Sequence, residues 1–245
     1  MAIKKRKKLW ISLIIIASVL IALTAAALIY LNTGYDADQE AVDAFLPDIG
    51  IEEIESDGFL LFKPEKPTAG LIFYPGGKVD HKAYVPLMRA SAANGILAVL
   101  VEMPFDLAIF DINAADGIKE RFPTVRSWYI AGHSLGGAMA ASYLEDNHEG
   151  FDGLILLGAY SSADLSGTDL KVLSLYGSED GVLNRDKYEK YKSNLPKNFS
   201  EVIIHGACHA YFGIYGPQKG DGEPKISNSE QIFLTAKEIA KFLSN

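Results

Sequence analysis

The sequence predicts an α/β fold on a mostly parallel central sheet flanked by helices. Three observations carry this reading. Short β-rich apolar runs alternate with stretches of helical periodicity. The middle runs are apolar at every position, as strands buried on both faces must be. The first two runs are joined by Asp57-Gly58, a two-residue hairpin signal, so an antiparallel pair opens an otherwise βα-repeating chain.

In order, the strand candidates are 51–55, 59–63, 70–74, 97–102, 128–131, 153–157, 172–176 and 201–205. Helices are expected over 84–94, 114–121, 135–147, 186–193 and 229–243. A shorter helix over 38–45 should end at Pro47, which cannot continue it. The chain divides into a basic tip (1–8), an apolar segment (9–31), a polar stalk (32–48) and one domain (49–245). That domain shows neither an internal repeat nor a linker.

Charge sharpens the division. The net charge is −8, but Lys4, Lys5, Arg6, Lys7 and Lys8 hold five of the 23 basic side chains, and no acid precedes Asp36. The rest of the chain therefore carries −13. A nucleic-acid partner is excluded, because binding phosphates needs a basic face. The 49% hydrophobic content excludes a disordered chain, and a single Cys excludes a disulfide scaffold or a Cys-rich zinc module.

Residues 9–35 carry no charge, and 9–31 is almost wholly apolar. About 20 such residues in a helix, at about 1.5 Å each, span a hydrocarbon core of about 30 Å. Trp10 and Tyr30 sit near the two ends, where aromatic rings favour the headgroup region. The expectation is a transmembrane anchor with the basic tip cytoplasmic and the body outside the cytoplasm, at the cell membrane. The alternative is a signal peptide cleaved near Ala25-Ala26-Ala27, which secretes the body. The run is longer than the usual h-region of about 7–15 residues, which favours the anchor.

One motif carries chemistry. Gly132, Ser134 and Gly136 form G-x-S-x-G between a predicted strand and a predicted helix. The pattern alone is weak, but small residues around the Ser permit the sharp turn that lifts its hydroxyl above the sheet. The helix that follows would point backbone N–H groups at developing negative charge. The plain alternative is a tight turn with a helix-capping Ser. A nucleophilic Ser also needs a base and an orienting acid. Loops after later strands offer both, in Gly177-Ser178-Glu179-Asp180-Gly181 and Gly206-Ala207-Cys208-His209.

With these motifs in hand, the sequence resembles the α/β-hydrolase superfamily, particularly its compact dienelactone-hydrolase-like members. The resemblance spans about residues 50–245. It rests on Tyr74-Pro75-Gly76-Gly77, on Gly132-His133-Ser134-Leu135-Gly136-Gly137, on the Asp180-Gly181 loop, and on His209 followed by an aromatic-Gly segment. It implies the α/β-hydrolase fold and a serine hydrolase: Ser134 as nucleophile, His209 as base and Asp180 as the acid that orients it. Glu179 is the nearest rival to Asp180. Among five His, only His209 lies on a loop beyond the last strand. The oxyanion hole would use the backbone N–H groups of Leu135 and Gly77, although Pro75–Lys78 would serve equally as a simple chain reversal.

Other signals fail. Gly77-Lys78 is no phosphate-binding loop, since Val79 stands where Ser or Thr would reach Mg²⁺. His205, Cys208 and His209 fall on a strand and a loop, not on one helix face, so no metal or other cofactor is expected. Cys208 reads as a small neighbour of the base. Residues 216–222 read as an irregular loop lining the pocket beside Tyr211 and Phe212.

The link between the strands 153–157 and 172–176 is short, so no large cap domain is expected over the site. The function this predicts is cleavage of carboxylic esters through an acyl-enzyme on Ser134, the substrate being a small-molecule or lipid ester. Amide or peptide cleavage by the same residues is an alternative. A non-catalytic binding or scaffold module on the same fold is another.

Overall fold

The computed structural model describes residues 2–31, 33–45 and 50–244. They form two units, Met1–Gly34 and Tyr35–Asn245. The first is helix α1 (Ala2–Leu31), whose Trp10, Ile14, Leu20, Ile21 and Leu23 are exposed. Among the described residues no helix is long and apolar enough to cross a membrane, so the anchor expected over 9–31 gains no support here.

The second unit begins at Tyr35, earlier than the domain start expected at 49. The reason is local packing. Tyr35 bridges to Val79, Val42 is buried in the core, and the Phe45 ring stacks on Phe233 at 5.1 Å. Most of the expected stalk is therefore part of the globular body. Helix α2 (Gln39–Ala44) is capped by the Asp38 carboxylate on the Ala41 N–H. Pro47, expected to end it, lies outside the described residues.

The body is an eight-stranded sheet: β1 (Ile51–Ser56), β2 (Phe59–Pro64), β3 (Ala69–Tyr74), β4 (Ile96–Val101), β5 (Trp128–His133), β6 (Gly153–Leu157), β7 (Lys171–Gly177) and β8 (Phe199–Ile204). Its spatial order is β1-β2-β4-β3-β5-β6-β7-β8. The β1–β2 and β2–β4 pairs are antiparallel, and every later pair is parallel.

Strands β3, β4, β5 and β6 are buried at every position. Their alternation sorts side chains onto two layers. Leu71 and Phe73 pack with α3 (Val85–Ala93) and α6 (Asn228–Leu243), through Leu87, Met88, Ile232 and Ile239. Ile72 and Tyr74 pack on the other face with Ala140, Ala141 and Leu144 of α4 (Leu135–Asn147). Burying such a side chain contributes about 1.5–3 kcal/mol, so the central strands make a rigid platform. The edge strands β1 and β8 are largely exposed. Helix α5 (Arg185–Tyr191) follows β7.

One expected helix is missing. Residues 114–121 form turns and a short 3₁₀ segment, Lys119–Arg121. The Tyr74 hydroxyl donates to the Ile112 carbonyl at 2.7 Å and accepts the Ala115 N–H at 3.0 Å. These two bonds pin the chain at 112–115, where it runs as successive turns. A tertiary contact here overrides local propensity.

The parallel strands place their C-terminal ends along one sheet edge. The turn after β3, Ser134 after β5, Gly158 after β6, the Asp180 loop after β7 and the His209 loop after β8 all emerge there. This is where open α/β sheets bind ligands.

Candidate active site

The elbow is built by close backbone packing. Ser134 has φ 51° and ψ −119°, a left-handed backbone conformation that L-residues avoid at a cost of order 1–3 kcal/mol. Two glycines make the turn possible: a Cβ on Gly132 would run into the Gly136 backbone, and one on Gly136 would run into the Pro75 carbonyl. Ser134 stands at the N-cap of α4, yet its side chain makes no capping bond. The capping-Ser alternative therefore does not describe this turn.

His209 and Asp180 meet. Nδ1 of His209 lies 2.9 Å from Oδ2 of Asp180, and both side chains are buried. Oδ1 of Asp180 accepts the N–H groups of Val182 (3.0 Å) and Leu183 (2.8 Å), so the carboxylate is held at both ends. Glu179 is turned elsewhere: it accepts from Lys225 at 2.8 Å and from the Ser178 hydroxyl at 3.0 Å. The Lys225 ammonium, with that hydroxyl, holds its carboxyl below the usual carboxylate range. Of the two candidate acids, the structure brings Asp180 to the imidazole.

Ser134 and His209 line one cavity of about 270 Å³ with Leu135, Ala138, Ala159, Tyr160, Val182 and Leu183. His209 Nε2 is buried without a hydrogen-bond partner. A larger groove of about 450 Å³ lies by α2, β1 and α3 and contains Arg89. That guanidinium is spent on Glu53 (2.7 and 3.1 Å) and on the carbonyls of Val42 (2.9 Å) and Phe45 (2.8 Å), so it clasps α2 to the body.

The turn after β3 packs on the elbow. A Cβ on Gly77 would lie 2.8 Å from Leu135 Cδ2, so the two expected oxyanion-hole residues are neighbours. The Gly76 N–H is used structurally, donating to Tyr84 Oη at 3.1 Å. Tyr84 Oη in turn lies 2.8 Å from His133 Nδ1, and an oxygen that accepts from Gly76 can donate its own proton there. A hydrogen-bonded chain thus ties the turn to the elbow. Burial, together with His209, whose ring centroid is 4.4 Å from its own, keeps the His133 pKa well below the ordinary imidazole value. His133 is accordingly neutral.

In the G-x-S-x-G pattern position 133 is unconstrained, and nothing in the sequence marks Tyr84. The spacing between them carries no signal, because only the β3–β5 pairing brings them together. Cys208 is buried beside the base, and burial pushes its thiol pKa up to about 12, so it does not form a reactive thiolate. Residues 216–222 do not line the cavity. Tyr211 borders a different groove and Phe212 is in the core. Instead Asp221 reaches the His209 loop through backbone N–H groups.

Comparisons with known proteins agree with this architecture. Three solved structures share the fold at low identity. They are TT1662 from Thermus thermophilus (14% identity, 80% of this chain and 99% of that one, TM-score 0.58), dienelactone hydrolase from Anabaena variabilis ATCC 29413 (15%, 80% and 98%, 0.59) and Est1E from Butyrivibrio proteoclasticus (16%, 80% and 100%, 0.54). Among curated proteins none matches the chain. The family model described as "Alpha/beta hydrolase family" matches residues 70–233, from β3 into α6 and across every loop described above. The chain belongs to the alpha/beta hydrolase family.

Proposed function

We propose that the protein hydrolyses carboxylic esters through an acyl-enzyme on Ser134, with His209 as base and Asp180 as the acid that orients it. One observation carries this reading: the 2.9 Å His209–Asp180 pair opens onto the same cavity as a Ser held at φ 51°. Asp180 accepts the Nδ1–H and so leaves Nε2 as the basic nitrogen. Nε2 takes the Ser134 proton as Oγ attacks the carbonyl carbon. The oxyanion forms at the N–H groups of Gly77 and Leu135. Collapse expels the alcohol, which receives its proton from His209. Water then repeats the sequence on the acyl-enzyme and releases the acid. Catalytic hydrogen bonds commonly shorten only with substrate in place, which suits a buried Nε2 with no partner of its own.

The mostly apolar cavity lining favours an uncharged acyl group. The neighbour named dienelactone hydrolase acts, by its name, on a lactone, and a lactone is a cyclic ester. A fluorophosphonate probe tests the assignment: it should label the wild type, while Ser134→Ala stays unlabelled and loses turnover. Full esterase activity in Ser134→Ala would exclude Ser134 as the nucleophile.

We further propose that α1 anchors the chain in the cell membrane with the body outside the cytoplasm. Its uncharged run from Leu9 to Tyr35, the basic residues before it and the exposed apolar side chains along it support this. Protease added to intact cells should remove the body. Protection of the body would reverse the orientation.

A further inference from the structure

Asp180 and His209 sit on separate loops, one after β7 and one after β8, and neither loop has regular structure to hold it. The Glu179 N–H donates to the Ala207 carbonyl at 2.9 Å and the Gly206 N–H to Ser178 Oγ at 2.8 Å, and one carboxylate adds bonds to both loops beside the pair itself. Oδ1 of Asp221 accepts the N–H of Gly181, the residue after Asp180, at 3.1 Å, and the N–H of His209 itself at 3.0 Å. Oδ2 accepts the Ala210 N–H at 2.8 Å, and the adjacent Gly222 N–H also reaches Oδ1, at 2.9 Å.

These donors have no other source of partners. His209 and Ala210 begin the short 3₁₀ turn Ala210–Phe212, whose first N–H groups find no carbonyl within the turn. From the opposite side, buried Gln231 of α6 accepts the Cys208 N–H at 3.0 Å and donates to the Cys208 carbonyl at 2.8 Å. Side chains therefore satisfy every backbone N–H from 208 to 210. The loops also meet backbone to backbone: a Cβ on Gly181 would lie 2.5 Å from the Gly220 carbonyl oxygen, and one on Gly222 would strike the Glu179 carbonyl.

We propose that Asp221 is a positioning residue for the base, its carboxylate fixing the His209 backbone against the Asp180 loop so that Nδ1 meets Asp180 and Nε2 faces Ser134. The inference rests on the reading of Ser134, His209 and Asp180 given above. The chemistry needs a carboxylate here, because four N–H groups converge on it and none can accept. Burial alone would raise the Asp221 pKa, but the N–H groups of Ala210, His209 and Gly181 outweigh it and hold the carboxyl below its ordinary value. Asn could satisfy only one side, and its amide N–H₂ would confront a donor on the other.

The test compares wild type, Ser134→Ala, Asp221→Asn and Asp221→Ala in the full chain. Each is assayed with p-nitrophenyl acetate and a fluorophosphonate, below the melting temperature of every variant. A misplacement of about 1 Å can cost about 10²-fold. Asp221→Asn and Asp221→Ala should therefore lose up to about 10²-fold in kcat and in labelling rate, with KM changed much less. The titratable groups around His209 are Asp180 at Nδ1, neutral His133 against the ring and Asp221 at the backbone. Weakening the Asp180 bond leaves the imidazolium less stabilised, so the acid limb of the pH–rate profile should move to lower pH. A purely structural role would lower the melting temperature and leave that limb in place.

If Asp221→Ala does not fold, the isosteric Asp221→Asn decides. A folded variant with wild-type kcat and an unmoved limb overturns the positioning role. Failure of the wild type itself to label overturns the Ser134 reading instead, so the two failures are distinct.

Discussion

The two sides of the candidate site are held by different physics. On the nucleophile side the strand, turn and helix are continuous in sequence, and glycines let backbones approach until the Ser134 conformation is the one that fits. On the acid–base side nothing is continuous. Asp180 and His209 come from loops after neighbouring strands, joined by the Glu179 N–H on the Ala207 carbonyl and by the Asp221 carboxylate. The first side is a local fold, and the second is a tertiary agreement among residues from 177 to 231.

Breaking the acid–base pair tests this contrast most strongly. Asp180→Asn should keep the geometry but offer Nδ1 the wrong partner, with a loss of order 10⁴-fold in kcat by the triad precedent. Glu179→Gln, whose parent pairs with Lys225 in the open, should stay close to wild type. Equal losses in the two variants would mean that the loop as a whole, not the Asp180 carboxylate, sustains activity. A hydrolysis assay with one chromogenic ester measures both.

A smaller effect distinguishes the two imidazoles. His133 belongs to the local side and is held neutral by burial and by His209. A lowered pKa leaves His133 uncharged across the ordinary imidazole range, so it adds no ionisation there. Activity should rise with pH along a limb of unit slope on a logarithmic plot of kcat/KM. A slope of two would show His133 gaining a proton as well, and the Tyr84–His133 link would then open in the same range.

The same contrast explains what could be read early. Runs of buried residues made the sheet legible, because strands covered on both faces leave no room for polar side chains. The α4 helix lies over 135–147 as expected, with Gly136 leaving room for the Pro75 carbonyl and Gly137 for that of Gly132. The 114–121 segment misled because its composition suits a helix while Tyr74, some forty residues earlier, holds the chain at Ile112 and Ala115. Residues 35–45 read as polar stalk because their one fully buried side chain, Val42, is hidden among acids.

What the sequence determined by itself is the class of fold, the strained serine turn and the order in which the Asp180 and His209 loops follow it. These depend on alternation, on small residues and on turn chemistry, all of which act within a few positions. Only the tertiary structure decided that Asp180 rather than Glu179 meets His209, that Tyr84 and His133 link the turn after β3 to the elbow, and that Asp221 spans the two loops. The physical reason is range: hydrogen bonds hold only within about 3 Å, and sheet pairing sets which distant residues come that close.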